Sequence, residues 1–111
     1  MVDEKLLNRV REALADLPRI EEKKMFGGIC FMVDDKLCIC VKNDEMLCRI
    51  HPDDFEAALE TEGTRAMIMG DRQAKGYVYV HEDALSTKKR FDDWVGKALV
   101  YNKIAKASKK K

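Results

Sequence analysis

Four cysteines and two histidines are the side chains of this 111-residue sequence with the clearest potential for chemistry. The cysteines stand at positions 30, 38, 40 and 48, a cluster that could serve a disulfide or a thiolate metal site. Nucleophilic catalysis would need a thiol of lowered pKa beside an imidazole. Because each histidine stands at the end of a predicted strand, where polar residues are expected, we interpret His51 and His81 as surface residues rather than general bases.

The predicted strand pairing tests whether the thiols can converge. In the register set by the two predicted turns, Cys30 and Cys48 both lie opposite Ile39, on outer strands about 9–10 Å apart. Cys38 and Cys40 then point to the other face. Disulfide partners normally have Cα atoms within about 7 Å, and zinc ligands converge on one point. We therefore predict free, buried or half-buried thiols, and no metal or cofactor; a slip of one residue would reverse this inference.

The apolar periodicity predicts the elements that position these residues. Helices are predicted over residues 6–17, over residues 55 to about 61, and after Ser86 or Thr87. Five strands are predicted at residues 25–33, 36–41, 45–50, 65–69 and 77–80. The order is α-β-β-β-α-β-β-α. Short turns between successive strands favour an α+β fold with two layers, in which a five-stranded antiparallel sheet carries helices mainly on one face.

Side-chain alternation divides the first three predicted strands between two faces. One face is wholly apolar and is expected to pack against the helices; it carries Phe26, Gly28, Cys30, Met32, Leu37, Ile39, Val41, Met46, Cys48 and Ile50. The other face carries charged residues and six apolar residues. The apolar residues are Ile29, Phe31, Val33, Cys38, Cys40 and Leu47. Apolar patches rimmed by charge commonly mark interaction surfaces. We predict that this second face binds a protein partner or a second copy; the alternative is that the helices or residues 70–76 cover it.

Charge and hydropathy narrow the choice of partner. The 21 basic and 20 acidic residues leave a net charge of +1, which gives no general attraction to nucleic acid or to an anionic membrane. No signal sequence or membrane-spanning run is evident. We predict a cytoplasmic domain over residues 1–102, with a lysine-rich tail at 103–111 that frays. Weak nucleic-acid binding is the alternative function, with Phe31, Tyr77 and Tyr79 as stacking groups and the tail as a phosphate anchor.

Four short motifs along the chain occur together in a known family. They are Met25-Phe26-Gly27-Gly28, the hairpin at residues 31–36, the aromatic strand at residues 76–80, and Trp94 followed by Ala98 and Leu99. In these motifs the sequence resembles the TfoX N-terminal domain of the TfoX/Sxy family, over about residues 14–101. The resemblance implies an α+β architecture with an antiparallel sheet. It also implies a stand-alone regulatory or adaptor domain without catalytic residues, lacking the C-terminal domain of the two-domain competence regulators.

Overall fold

Helices and strands fill most of the two ranges that the structure, a computed structural model, describes: residues 3–25 and 27–105. The α-helices are α1 (Glu4–Ala13), α2 (Phe55–Ala58) and α3 (Lys88–Asn102), and 3-10 helices lie at Pro52–Asp54 and Glu82–Leu85. The strands are β1 (Ile20–Met25), β2 (Gly28–Val33), β3 (Lys36–Lys42), β4 (Glu45–Arg49), β5 (Thr64–Met69) and β6 (Arg72–His81). Across the described residues, no helix is both long and apolar enough to cross a membrane.

The strands form one sheet in the order β1-β2-β3-β4-β6-β5, and every neighbouring pair is antiparallel. The predicted α+β class and antiparallel sheet are confirmed, but the prediction of five strands is wrong, since the sheet has six. The strand that the prediction lacks is β1. Its four central residues, numbers 21–24, are all charged and exposed, so this edge strand shows no apolar alternation from which it could be recognised.

The helix α1 begins where its sequence provides a cap. The Asp3 carboxylate accepts hydrogen bonds from the backbone N–H groups of Lys5 (2.9 Å) and Leu6 (3.2 Å), which satisfies donors that have no partner inside the helix. The helix ends at Ala13 rather than at residue 17 as predicted, although Leu14 still packs into the core. The Leu14 N–H donates to the Val10 carbonyl (3.0 Å), so the apolar pattern continues one residue past the last residue of the helix.

The larger core lies between the helices and one face of the sheet. Its sheet residues are Phe31, Val33, Cys38, Ile39, Val41, Met46, Cys48, Ile50, Val78 and Val80. The helix α3 contributes Phe91, Trp94, Val95 and Ala98 to it. These four side chains repeat at three- and four-residue spacing, so they form one stripe on the helix. This stripe packs on the sheet.

Both ends of α3 are held by polar contacts as well as by packing. Near its start, the Arg9 guanidinium lies 4.2 Å from the centre of the Phe91 ring and donates a hydrogen bond to the Leu85 carbonyl (2.9 Å). At its end, the buried Asn102 amide donates to the Val33 carbonyl (3.3 Å), while Lys36 Nζ donates to the Asn102 carbonyl (2.7 Å). Residues on both sides of the β2–β3 turn therefore anchor the C-terminal end of α3.

A smaller core occupies the opposite face of the sheet. It consists of Cys30, Met32, Leu37, Cys40, Leu47, Met67 and Tyr79, with Met25, Ala74 and Tyr77 packed against it. Four of these ten residues, including Met67 and Ala74, come from the β5–β6 hairpin. The pairing of this hairpin is irregular between Ala66 and Ile68, and Gly76 has a φ of +93°. The hairpin can therefore bend over the second face of the sheet. Because Ala74 packs there, the alternative in which residues 70–76 cover this face is partly correct.

Candidate functional site

The predicted interaction face is not a single surface in the structure. Phe31, Val33 and Cys38 belong to the core under the helices, and Ile29 packs against that core. Cys40 and Leu47 belong to the smaller core on the other side of the sheet. All of these side chains are buried except the partly buried Ile29. The placement of the six residues on one open face is therefore corrected.

A β-bulge at Cys38 is the cause of this correction. Phe31 lies opposite Ile39 and Met32 lies opposite Leu37, so β3 contains one residue more than β2 over the same length. An extra residue interrupts the regular alternation of side chains. As a result, Cys30 lies opposite Cys40 rather than opposite Ile39.

The bulge brings together two thiols that a regular strand register would keep apart. Cys30 and Cys40 form a disulfide, with Cα atoms 3.9 Å apart, so the prediction of free thiols is wrong for this pair. Cys38 and Cys48 are free and buried on the helix side of the sheet. Burial raises the pKa of the Cys38 thiol to about 12, and it raises the pKa of the Cys48 thiol as well. Neither is a thiolate nucleophile at neutral pH.

Removing the Cys30–Cys40 disulfide should lower the free energy of unfolding by about 2–3 kcal/mol, because the bridge restricts the unfolded chain. Urea unfolding with and without reductant measures this difference. A Cys40→Ser variant, which cannot form the bridge, should have the same stability in both conditions. Thiol titration of the unfolded protein should count two thiols without reductant and four with it. Four thiols without reductant would contradict the bridge.

The two histidines have the same structural role. His51 Nδ1 accepts a hydrogen bond from the backbone N–H of Asp53 (3.0 Å), and His81 Nδ1 accepts one from that of Asp83 (3.1 Å). Each imidazole thereby caps the start of a 3-10 helix. His81 Nε2 also lies 3.1 Å from a carboxylate oxygen of Asp44. The signal for this role is the repeated spacing His-x-Asp, which the sequence analysis did not use.

No metal site accompanies these groups in the described ranges: they contain no cluster of three or more His, Cys, Asp or Glu residues able to hold a metal ion.

The described residues of the motif at 25–28 lie where β1 ends and β2 begins. Met25 ends β1, Phe26 lies outside the described residues, and Gly27 adopts a φ of +76°. A Cβ atom on Gly28 would overlap the carbonyl oxygen of Val41 and lie 3.0 Å from the carbonyl carbon. Glycine at position 28 therefore allows β2 to approach β3 closely, and the motif has a structural explanation.

Exposed apolar side chains mark two other places on the surface. Among the described residues, the large apolar side chains that are exposed are Ile68 (57%), Met69 (48%), Val100 (69%) and Ile104 (65%). The first two lie beside the β5–β6 turn, whereas Val100 lies in the last turn of α3 and Ile104 lies two residues after its end. Neither place was predicted from the sequence, in which the second face of the sheet was the predicted interaction surface.

The exposed end of α3 forms one side of a groove. Its lining residues are His51, Asp53, Asp54, Gly96, Lys97, Val100, Tyr101 and Ile104, and its volume is about 460 Å³. We call this region the α3 groove. The rings of His51 and Tyr101, both lining residues, make an edge contact with centroids 5.6 Å apart. The groove thus combines apolar side chains with two acidic residues from the 3-10 helix and a lysine from α3.

Comparison with known proteins identifies the family. The search of curated proteins and the search of solved structures each found no match. The family model of the TfoX N-terminal domain matches residues 12–100, which is most of the chain. The motif at residues 25–28, the antiparallel sheet and all of α3 except its last two residues fall within this range. The resemblance seen in the sequence is therefore confirmed, and the chain belongs to the TfoX N-terminal domain family.

Proposed function

We propose that this chain is a non-enzymatic regulatory or adaptor domain that acts through protein–protein contacts at the α3 groove. Membership of the TfoX N-terminal domain family supports a regulatory domain in general. The observation that carries the finer proposal is the exposure of Val100 and Ile104, at 69% and 65%, in one groove. Apolar side chains clustered in a concave surface release water when a partner covers them.

The arrangement of charge around the groove supports a protein partner. Asp53 and Asp54 are exposed on the 3-10 helix, and Lys97 is exposed on α3. Protein interfaces commonly combine an apolar centre with a polar rim. A membrane or a nucleic acid would instead favour basic residues around the apolar centre.

The second sheet face gives weaker support than the sequence indicated. Its residues Cys40 and Leu47 are 3% and 2% exposed, so a partner could reach them only after the β5–β6 hairpin moved away. The α3 groove needs no such movement, because its apolar side chains are already in contact with solvent. We therefore place the partner at α3 and not on the sheet.

The burial of aromatic residues favours protein contacts over nucleic-acid binding. Of the three residues predicted to stack on bases, Phe31 is 1% exposed and Tyr79 is 6% exposed. The Tyr77 ring faces the Arg49 guanidinium, 5.6 Å from the ring centre. The predicted phosphate anchor, the tail at residues 103–111, lies mostly outside the described residues, which end at Ala105.

The roles of the thiols and imidazoles support a non-enzymatic domain. Burial keeps the Cys38 thiol protonated at neutral pH, and both imidazoles already accept backbone hydrogen bonds. No nucleophile in this set has a base to activate it.

Site-specific photo-crosslinking tests the proposed surface. We would replace Val100 with a photoreactive phenylalanine derivative in the full chain and irradiate cells that produce it. The matched control carries the same group at Ile68, which is also exposed and apolar but lies at the β5–β6 turn. We expect a discrete crosslinked protein at position 100 and a weaker or different one at position 68. An absence of protein crosslinks at position 100, or the same products at both positions, would count against the α3 groove.

A further inference from the structure

We propose that the occupant of the α3 groove is a second copy of this chain, with α3 packed against its counterpart at Gly96 and Val100. This inference rests on the proposed function, because it names the partner for the same surface. Three observations carry it: a glycine that the single chain does not explain, an exposed apolar residue one turn away, and residues of opposite charge that line the groove.

Gly96 is the first observation. It lies in the interior of the 15-residue helix α3, where glycine costs about 1 kcal/mol relative to alanine. A Cβ atom at this position would meet nothing within 4 Å, so no contact inside the chain requires the small residue. Gly28 differs, because its missing side chain makes room for the β3 backbone. The close approach of another helix would explain Gly96 in the same way, because the missing side chain would leave room for the backbone of that helix.

The spacing of Gly96 and Val100 makes the surface self-complementary. Residues four apart lie one turn apart on the same helix face, so α3 presents a hollow and, next to it, an exposed apolar side chain. In a two-fold, antiparallel pair of helices, Val100 of each copy can sit over Gly96 of the other. Every contact then occurs twice, as in the isologous interfaces of symmetric dimers.

Charge complementarity also favours a second copy. Of the residues that line the groove, Asp53 and Asp54 come from the 3-10 helix and Lys97 comes from α3. In the proposed two-fold arrangement, the lysine of each copy can pair with the acidic residues of the other. The net charge of +1 per chain adds little repulsion between the copies.

Sedimentation velocity over a concentration series of the full chain tests the proposal. We expect wild-type protein to shift from monomer to dimer as its concentration rises, and Val100→Glu to weaken the dimer at least about tenfold. Ile68→Glu is the matched control, since it places the same charge at an exposed apolar position away from α3, and it should leave the association unchanged. A monomer at every concentration, or a dimer that responds to Ile68→Glu but not to Val100→Glu, would overturn the proposal.

Two further variants separate close helix packing from a general apolar effect. Gly96→Gln should fold normally, because its Cβ has open space, and thermal unfolding of the dilute monomer checks this; the longer side chain should nevertheless weaken the dimer at least about tenfold. Lys97→Glu should weaken it as well, and adding Asp54→Lys should restore it. If Gly96→Gln dimerises like wild type, close packing at Gly96 is refuted.

The crosslinking experiment distinguishes this inference from the proposed function. A product at position 100 with twice the mass of the chain supports both. A product at position 100 with a different protein, from a chain that stays monomeric, overturns the second copy while the α3 groove stands as an interaction surface. If position 100 yields no protein product, both fail.

Discussion

Replacing Phe31 with alanine should lower the free energy of unfolding by about 3–5 kcal/mol. The Phe31 side chain is 1% exposed and packs in the core between the sheet and the helices. Removing its ring takes away apolar burial and leaves a cavity that the surrounding strands can close only in part. Chemical denaturation followed by far-UV circular dichroism measures the change.

The control for Phe31→Ala is Ile68→Ala, at a residue that is 57% exposed. This variant should change the free energy of unfolding by less than about 0.5 kcal/mol. If Phe31→Ala were as stable as the control, Phe31 would belong on an open face, as the regular strand register predicts, and the bulge at Cys38 would be refuted.

Replacing Gly28 with alanine should lower the free energy of unfolding by about 3 kcal/mol. The added Cβ would overlap the Val41 carbonyl oxygen and lie 3.1 Å from the Lys42 Cα. Both neighbours are backbone atoms of β3, so no side-chain rotation can relieve the contact. The strands β2 and β3 would have to separate beside the disulfide that joins them. Urea unfolding of the variant and the wild type measures the loss.

Gly96→Ala is the matched control for Gly28→Ala, because it adds the same atom where nothing lies within 4 Å. At concentrations where the chain is monomeric, it should raise the free energy of unfolding by about 0.5–1 kcal/mol through helix propensity. Opposite signs for the two substitutions are expected. A stability loss of similar size in both variants would show that the close approach of β2 to β3 does not require glycine at position 28.

The fold was predictable wherever one face of a helix or strand is buried and the other is exposed to solvent. The helix α3 has four core residues at helical spacing, and the Val33–Lys36 turn pairs as predicted. The strand β1 was missed because its central residues are charged and exposed on both faces. Such a strand is held by backbone hydrogen bonds to β2, and backbone bonding leaves no trace in the pattern of side-chain types.

The candidate site was less predictable than the fold. Face assignments follow from strict alternation, so one extra residue at Cys38 was enough to move Phe31 into the main core and Cys30 opposite Cys40. A bulge of this kind depends on contacts with neighbouring strands, which a reading of one strand at a time does not include. Val100 is an ordinary apolar residue in the sequence. Its exposure could be recognised only once the structure showed which side of α3 is buried.

The charged edge strand β1 also limits how these molecules can polymerise. An open filament built by strand addition needs two receptive edges on every subunit, one to accept and one to be accepted. In this sheet the β1 edge displays a row of exposed charges, whereas the β5 edge ends in Ile68 and Met69. Head-to-tail growth would have to desolvate that charged row at every step. Strand addition at the β5 edge would therefore stop at a closed pair of subunits instead of continuing into a filament.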